Sequence, residues 1–359
     1  MKILTVIGAR PQFIKAAALA HAAKERAGVQ ELLLHTGQHY DPNMSDVFFD
    51  ELGIPAPAYH LGIGSGPHGA QTGQMLAEIE KVLLQEKPDW LLVYGDTNST
   101  LAGAVAAAKL HIPVAHVEAG LRSFNKRMPE EVNRILTDHV SAALFVPTQT
   151  AVQHLSAEGL AGPQVHVVGD VMYDVALTMA ERAKAHSTVL ERLGVQPGGY
   201  VLSTIHRAEN TDVPERLAAI VGGLALVAQE LPVILPLHPR TRKLAAEQGL
   251  DFGGIQVTNP VGYLDMVRLE QAAAVIATDS GGVQKEAYFY GVPCVTMRDE
   301  TEWTELVESG WNRLVTPTSA QTVRDEVLAA RGRRGEEGQL YGDGQAAGRI
   351  LDILMQGPT

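Results

Sequence analysis

The residue types that do acid–base and anion chemistry gather in a few short stretches, each where an apolar run gives way to a polar turn. In "GARPQFIKAAAL", Gly8 permits a tight turn, Pro11 suits a helix start, and Arg10 and Lys15 flank that helix's N-terminus. "YGDTNSTLAG" sets Asp96 directly after an apolar run, ahead of Thr97, Asn98 and Ser99. All four are also preferred helix caps. In "HVEAGLRSFNKRMPEEVNR", Glu118 ends an apolar run, where a charge is costly unless paired or used, and Arg122 follows four residues on. Glu130 and Glu131 open a helix, where acidic side chains complement the dipole, so they have a structural explanation that Glu118 lacks. "STIHRAEN" and "LPLHPRTRK" repeat one pattern at two run ends: His206 with Arg207, then His238 with Arg240 and Arg242. In "ATDSGGVQKEA", the amides of Ser280, Gly281 and Gly282 can cradle phosphate oxygens at a helix start. Glu286, further along, can accept hydrogen bonds from two sugar hydroxyls, as acidic residues do for ribose. Each stretch also admits a plainer reading as surface charge, cap or glycine turn. Together they fit a nucleotide-linked substrate, its reactive end toward the carboxylates and its phosphates toward the glycines.

The elements that must carry these residues follow from the apolar pattern. Strands are expected at Ile3–Ile7, Glu31–His35, Trp90–Tyr94, Val114–Glu118, Ala143–Val146 and Val165–Val168. A second series covers Tyr200–Ile205, Val233–Leu237, Ile255–Thr258, Ala273–Thr278 and Cys294–Met297. Amphipathic or alanine-rich segments lie between them. Continuous apolar strands alternating with helices predict α/β architecture, with parallel sheets covered on both faces. Two such series predict two Rossmann-like domains with a boundary near Gly169, and a last helix in "GDGQAAGRILDILMQ" that can stay with either. In open parallel sheets, ligands sit beyond the carboxyl ends of the strands, where the polar stretches above fall.

Composition excludes several classes. The 359 residues are 45% hydrophobic and 19% charged, ordinary for a globular chain and too long for one typical core. A net charge of −12 disfavours general affinity for nucleic acid or anionic membrane. No stretch approaches the ~18 apolar residues of a membrane span, and "MKILTVIGAR" reads as a first strand, not a signal peptide. Cys294 is the only cysteine, so no intramolecular disulfide can form, and a cytoplasmic protein is expected. Neither a metal-ligand spacing nor the G-x-G-x-x-G dinucleotide fingerprint is present; no metal is expected, and hydride chemistry loses its usual signature.

These stretches, in this order and spacing, resemble the bacterial non-hydrolysing UDP-N-acetylglucosamine 2-epimerases essentially end to end. The carriers are "GARPQFIKAA", "GDTNSTLAGAVAA", "HVEAGLRS", "PEEVNR", "HRAEN", "HPR", "TDSGGVQKEA" and "YGDGQAAGRI". The resemblance implies a GT-B fold whose two sheets face an interdomain cleft, with the last helix returning to the first domain. The expected division is 1–169 with 340–359, a catalytic domain, and 170–339, a UDP-binding domain. Arg10, Lys15, Asp96, Glu118, Glu131 and His206 match the family's active-site positions. Ser280, Gly281, Gly282 and Glu286 match its UDP loop and ribose carboxylate. "NPVGYLDMV" matches the segment that meets uracil, through backbone near Val261 and Met266. Arg207, His238 and Arg240 join the candidate UDP contacts from their places at strand ends.

The implied reaction eliminates UDP to give 2-acetamidoglucal and adds it back with the opposite C2 configuration, with no cofactor. The three carboxylates supply acid–base catalysis, and Arg10, Lys15 and His206 stabilise the leaving diphosphate. A homodimer serving cell-envelope polysaccharide synthesis is the family expectation. Two departures, Trp303 where well-known members carry arginine and the stretch "TGQHYDPNMSDVFF", resemble relatives acting on UDP-2,3-diacetamido-2,3-dideoxy-glucuronate. The other readings are a hydrolysing epimerase, a GT-B glycosyltransferase and a nucleotide-sugar sensor.

Overall fold

A computed structural model describes residues 1–38 and 52–357. The stretch beginning at Thr36 therefore lies largely outside the described residues. The chain forms two compact units, one of Met1–Val175 with Gln339–Thr359 and one of Ala176–Gly338.

The first unit is built on seven strands: β1 (Lys2–Ile7), β2 (Gln30–His35), β3 (Tyr59–His60), β4 (Trp90–Tyr94), β5 (Val114–Val117), β6 (Ala143–Val146) and β7 (Val165–Val167). Every pairing is parallel, in the order β3-β2-β1-β4-β5-β6-β7. Alternate residues serve opposite faces. Leu4, Val6, Leu34, Leu91 and Val93 meet Met75, Ile79 and Leu83 of the helix His68–Glu86 and the small side chains Ala102 and Ala106 of the helix Asn98–Lys109. The final helix, Ala346–Leu354, docks on this unit: the Trp90 indole donates to the Leu354 carbonyl at 3.1 Å, and Asp174 accepts from the amides of Ala346 and Ala347 at its start.

The second unit has β8 (Val201–Thr204), β9 (Val233–Pro236), β10 (Gln256–Thr258), β11 (Val275–Thr278), β12 (Cys294–Thr296) and β13 (Asn312–Leu314), all parallel in the order β10-β9-β8-β11-β12-β13. One face of this sheet buries Val201, Val275, Ala277 and Val295 under the helices Pro214–Val227 and Ala320–Ala330. The other buries Leu202, Ile276 and Cys294 against Leu269, Val283 and Ala287. Among the described residues, no helix is long and apolar enough to cross a membrane.

Several sequence expectations need adjustment. The edge strands β3 and β13 escape the apolar pattern, because Tyr59–His60 is too short to show one and Asn312-Arg313-Leu314 is mostly polar. β5 stops at Val117, so Glu118 lies just past the strand, with φ at +71°. That is left-handed backbone, rare for a residue with a side chain.

Candidate active site

Strand order locates the candidate residues. In the first sheet the chain runs outward from β1 to β3 and then returns to β4 on the other side of β1. Loops leaving β1 and β4 therefore diverge and open a crevice at their carboxyl ends. The second sheet repeats this at β8 and β11. Arg10 and Lys15 follow β1, Asp96 follows β4 and Glu118 follows β5; His206 and Arg207 follow β8, and Ser280 to Gly282 follow β11.

In the first unit these residues sit in two ion-pair groups. Lys15, on the helix Arg10–Lys24, pairs with the Glu118 carboxylate, both side chains almost fully buried. Behind the pair lies Gly95, at φ +60°, where a Cβ would stand 3.2 Å from Glu118 Oε2 and 3.3 Å from Lys15 Nζ. A side chain there would strain the backbone and crowd both charged ends, which glycine avoids. Asp96 does not cap the next helix. Thr97 does that, accepting from the Thr100 amide, while Asp96 turns to the Arg134 guanidinium. Arg134 also donates to Glu131 Oε2 at 2.9 Å. Glu131 is buried and further accepts from the Ser123 amide at 2.9 Å, the Ser123 hydroxyl at 3.0 Å and the Phe124 amide at 2.9 Å. Its carboxylate thus holds the 123–124 loop and one arm of Arg134. Arg10 opens its helix at Ala9–Arg10; its side chain lies outside what is described.

Three residues that sequence reading passed over hold this arrangement. Gln12 accepts from the amides of Gly8 (2.8 Å) and Ala9 (3.1 Å) and donates to the Tyr94 carbonyl at 2.9 Å, tying the β1 and β4 loops together. Arg134 was visible only as the last letter of "PEEVNR", one helical turn beyond Glu131. His116 is buried in β5 between Asp138 and the Gly95 carbonyl. Burial pushes the Asp138 carboxyl up, but His116 and Arg122 together outweigh it and hold the group below the usual carboxylate range.

In the second unit the organising group is Asp279, fully buried after β11. It accepts from the amides of His206 (3.1 Å) and Arg207 (3.0 Å) and from Asn210 Nδ2 (3.2 Å). Burial raises this carboxyl and those donors, with His206 foremost, bring it below its ordinary value. His206 Nδ1 lies 3.0 Å from Asp279 Oδ1 while 53% of the side chain is exposed, so Nδ1–H is committed inward and Nε2 faces out. Ser280 is the N-cap of the helix Gly281–Phe289, its hydroxyl accepting from the Val283 amide at 3.4 Å. The Gly281 and Gly282 amides head that helix. A Cβ on Gly281 would come within 2.5 Å of Glu302 Oε1, a carboxylate that lies 3.7 Å from the Arg207 guanidinium and 3.0 Å from Arg298 NH1.

The remaining candidates are also in this unit. Glu286 is buried in the same helix. Val261 and Met266 pack partly buried against the Leu202–Ile276 core, and the Met266 amide donates to the Gly262 carbonyl. His238 is an exposed N-cap that accepts from the Arg240 amide, and Arg240 reaches Asp212 at 2.5 Å. Trp303 is buried with Lys285 Nζ 4.1 Å above its ring, a cation–π contact.

A family model described as UDP-N-acetylglucosamine 2-epimerase matches residues 21–355. The chain is 54% identical over 359 residues to UDP-2,3-diacetamido-2,3-dideoxy-D-glucuronate 2-epimerase of Pseudomonas aeruginosa, covering 99% of this chain and 100% of that one. It is 34% identical to UDP-N-acetylglucosamine 2-epimerase of Escherichia coli K12, covering 99% and 98%. The crystal structure of Methanocaldococcus jannaschii UDP-GlcNAc 2-epimerase in complex with UDP-GlcNAc and UDP is similar at a TM-score of 0.92 and 44% identity, covering 99% of this chain and 100% of that one.

Proposed function

Because the chain belongs to the UDP-N-acetylglucosamine 2-epimerase family, with the GT-B fold of its solved relatives, we propose that it interconverts UDP-N-acetylglucosamine and UDP-N-acetylmannosamine. A base takes the C2 proton while the C1–oxygen bond breaks and UDP departs, giving 2-acetamidoglucal. An acid then returns a proton to the opposite face of C2 as UDP adds back to C1. The observation that carries this reading is the pair of carboxylates at neighbouring strand ends, Asp96 and Glu118, each held by its own buried cation. Such pairing fixes the direction of each carboxylate, as acid–base work on two faces requires. The glycine-headed helix N-terminus after β11 supports a diphosphate site, kept for the leaving group so that it can return.

The experiment is turnover of UDP-N-acetylglucosamine in deuterated water without added nicotinamide cofactor. The expected result is an epimer carrying deuterium at C2. Epimerisation that keeps the original C2 hydrogen overturns the elimination route, and free N-acetylmannosamine as sole product selects a hydrolase instead. The 54% identity to the diacetamido-glucuronate enzyme favours a second reading, in which that UDP-uronate is the preferred sugar. Parallel kcat/KM values for the two substrates decide between them.

We further infer a homodimer. In the helix Pro129–Val140, Val132, Leu136 and Val140 are 41%, 47% and 38% exposed at four-residue spacing and form one apolar stripe. Sedimentation velocity is expected to find a dimer that Leu136→Glu converts to monomer; a monomeric wild-type protein at micromolar concentration overturns it.

A further inference from the structure

Three consecutive carbonyls form the turn that leaves β4, and side chains from three different elements hold them. Gln12 Nε2 donates to the Tyr94 carbonyl at 2.9 Å, His116 Nε2 lies 2.7 Å from the Gly95 carbonyl, and Asn133 Nδ2 donates to the Asp96 carbonyl at 2.9 Å. The middle contact differs from the other two. An amide always has protons to donate, whereas an imidazole nitrogen must be protonated to do so.

The other ring nitrogen determines the charge. His116 Nδ1 lies 2.7 Å from Asp138 Oδ1, and the histidine is fully buried. A backbone carbonyl only accepts hydrogen bonds, and so does an ionised carboxylate. A neutral ring would leave one nitrogen lone pair facing an acceptor lone pair at 2.7 Å with no water to relieve it. Charge balance agrees. Asp138 also meets Arg122 NH1 at 2.7 Å and the Gly120 amide at 3.2 Å, and Arg122 forks onto Glu158 with two contacts of 2.7 Å. Two cations and two carboxylates alternate along this row, from fully buried His116 to partly exposed Glu158, only when His116 carries its charge. His139, 3.4 Å from Glu158 at the outer end, and the Lys15–Glu118 pair on the far side of Gly95 complete the charged surroundings.

We infer that His116 is a doubly protonated positioning residue, an imidazolium that clamps the Gly95 carbonyl and thereby fixes Asp96 and the backing of the Lys15–Glu118 pair. It touches no reacting atom. Its cation orients the peptide between Gly95 and Asp96, the bond on which the aim of Asp96 depends.

Ring-15N-labelled protein tests the charge state directly. At about pH 7.5 one imidazole is expected to show two slowly exchanging ring N–H protons, both nitrogens at imidazolium shifts, and to lose them in His116→Gln. No histidine with both nitrogens protonated under those conditions overturns the inference, even where the variant fails to fold. The kinetic arm rests on the epimerase reading; the spectrum does not. In a cooperatively melting His116→Gln, kcat is expected to fall ~10²-fold while KM and UDP affinity stay within about twofold, the pattern of a displaced catalytic group. An unchanged kcat, or a loss of UDP affinity equal to the loss in kcat, overturns the positioning role.

Discussion

Glu118→Gln is expected to bind UDP with near wild-type affinity while epimerising less than about a thousandth as fast, because acid–base catalysis at this level contributes roughly 10²–10⁴-fold. Gln matches Glu in shape and can still accept from Lys15, so the residue after β5 keeps its partner and its left-handed backbone. What it loses is the ability to take or return a proton. The glycine-headed helix and Glu286, the proposed UDP contacts, belong to the other unit, so the substitution leaves them untouched. Losing the counter-charge of buried Lys15 costs about 1.5–3 kcal/mol of stability, read separately by thermal melting. Calorimetric titration with UDP and deuterium incorporation at C2 should therefore part company, the first preserved and the second gone. Turnover within tenfold of wild type in a folded variant would remove Glu118 from the chemistry.

The parts of this candidate site that were legible in the sequence share one physical property: each is a polar residue within two positions of the end of an apolar strand. Asp96, Glu118, His206 and Ser280 stand out there because an apolar run disfavours unpaired polar groups, so the polar residues just past it mark the strand's carboxyl end. What stayed hidden is pairing. Lys15 and Glu118 lie 103 positions apart, Asp96 and Arg134 38, and no local pattern says which cation turns to which carboxylate. The positive φ at Glu118 was equally invisible, since an apolar run shows where a strand lies and not how its last peptide twists. Residues on buried polar faces were underweighted for a related reason. Gln12, His116 and Asp279 read as ordinary strand or turn letters until packing closes water away from them, and only then must each hydrogen bond be met within the fold. Glu131 shows the opposite case. Its helix-start position beside Glu130 already gave it a structural explanation, and its four donors add a loop and a guanidinium to what it holds.

Arg134→Met is expected to have the largest effect on stability, because this side chain serves two carboxylates at once. Its guanidinium donates to Glu131 Oε2 at 2.9 Å and to Asp96, with 5% of the side chain exposed and Glu131 at 1%. Removing one partner of a buried pair costs about 3–5 kcal/mol, since the remaining charge stays desolvated without a counter-ion. For a unit of this size that lowers Tm by roughly 6–20 °C. Arg134→Lys should recover only part of the loss, because a point charge cannot fork across two acceptors. The decisive measurement is a double-mutant cycle. Glu131→Gln removes the charge that Arg134→Met strands, so the double variant should be more stable than the two single losses predict. Additive losses, or a Tm drop under about 2 °C in Arg134→Met, would mean that Arg134 is not the keystone of this pair. Activity follows from the same geometry: Asp96 keeps its carboxylate but loses its orientation, and kcat should fall ~10²-fold. UDP affinity should change little. A variant that keeps the Asp96 carboxylate but no longer points it in one direction separates possession of the proposed catalytic group from its aim.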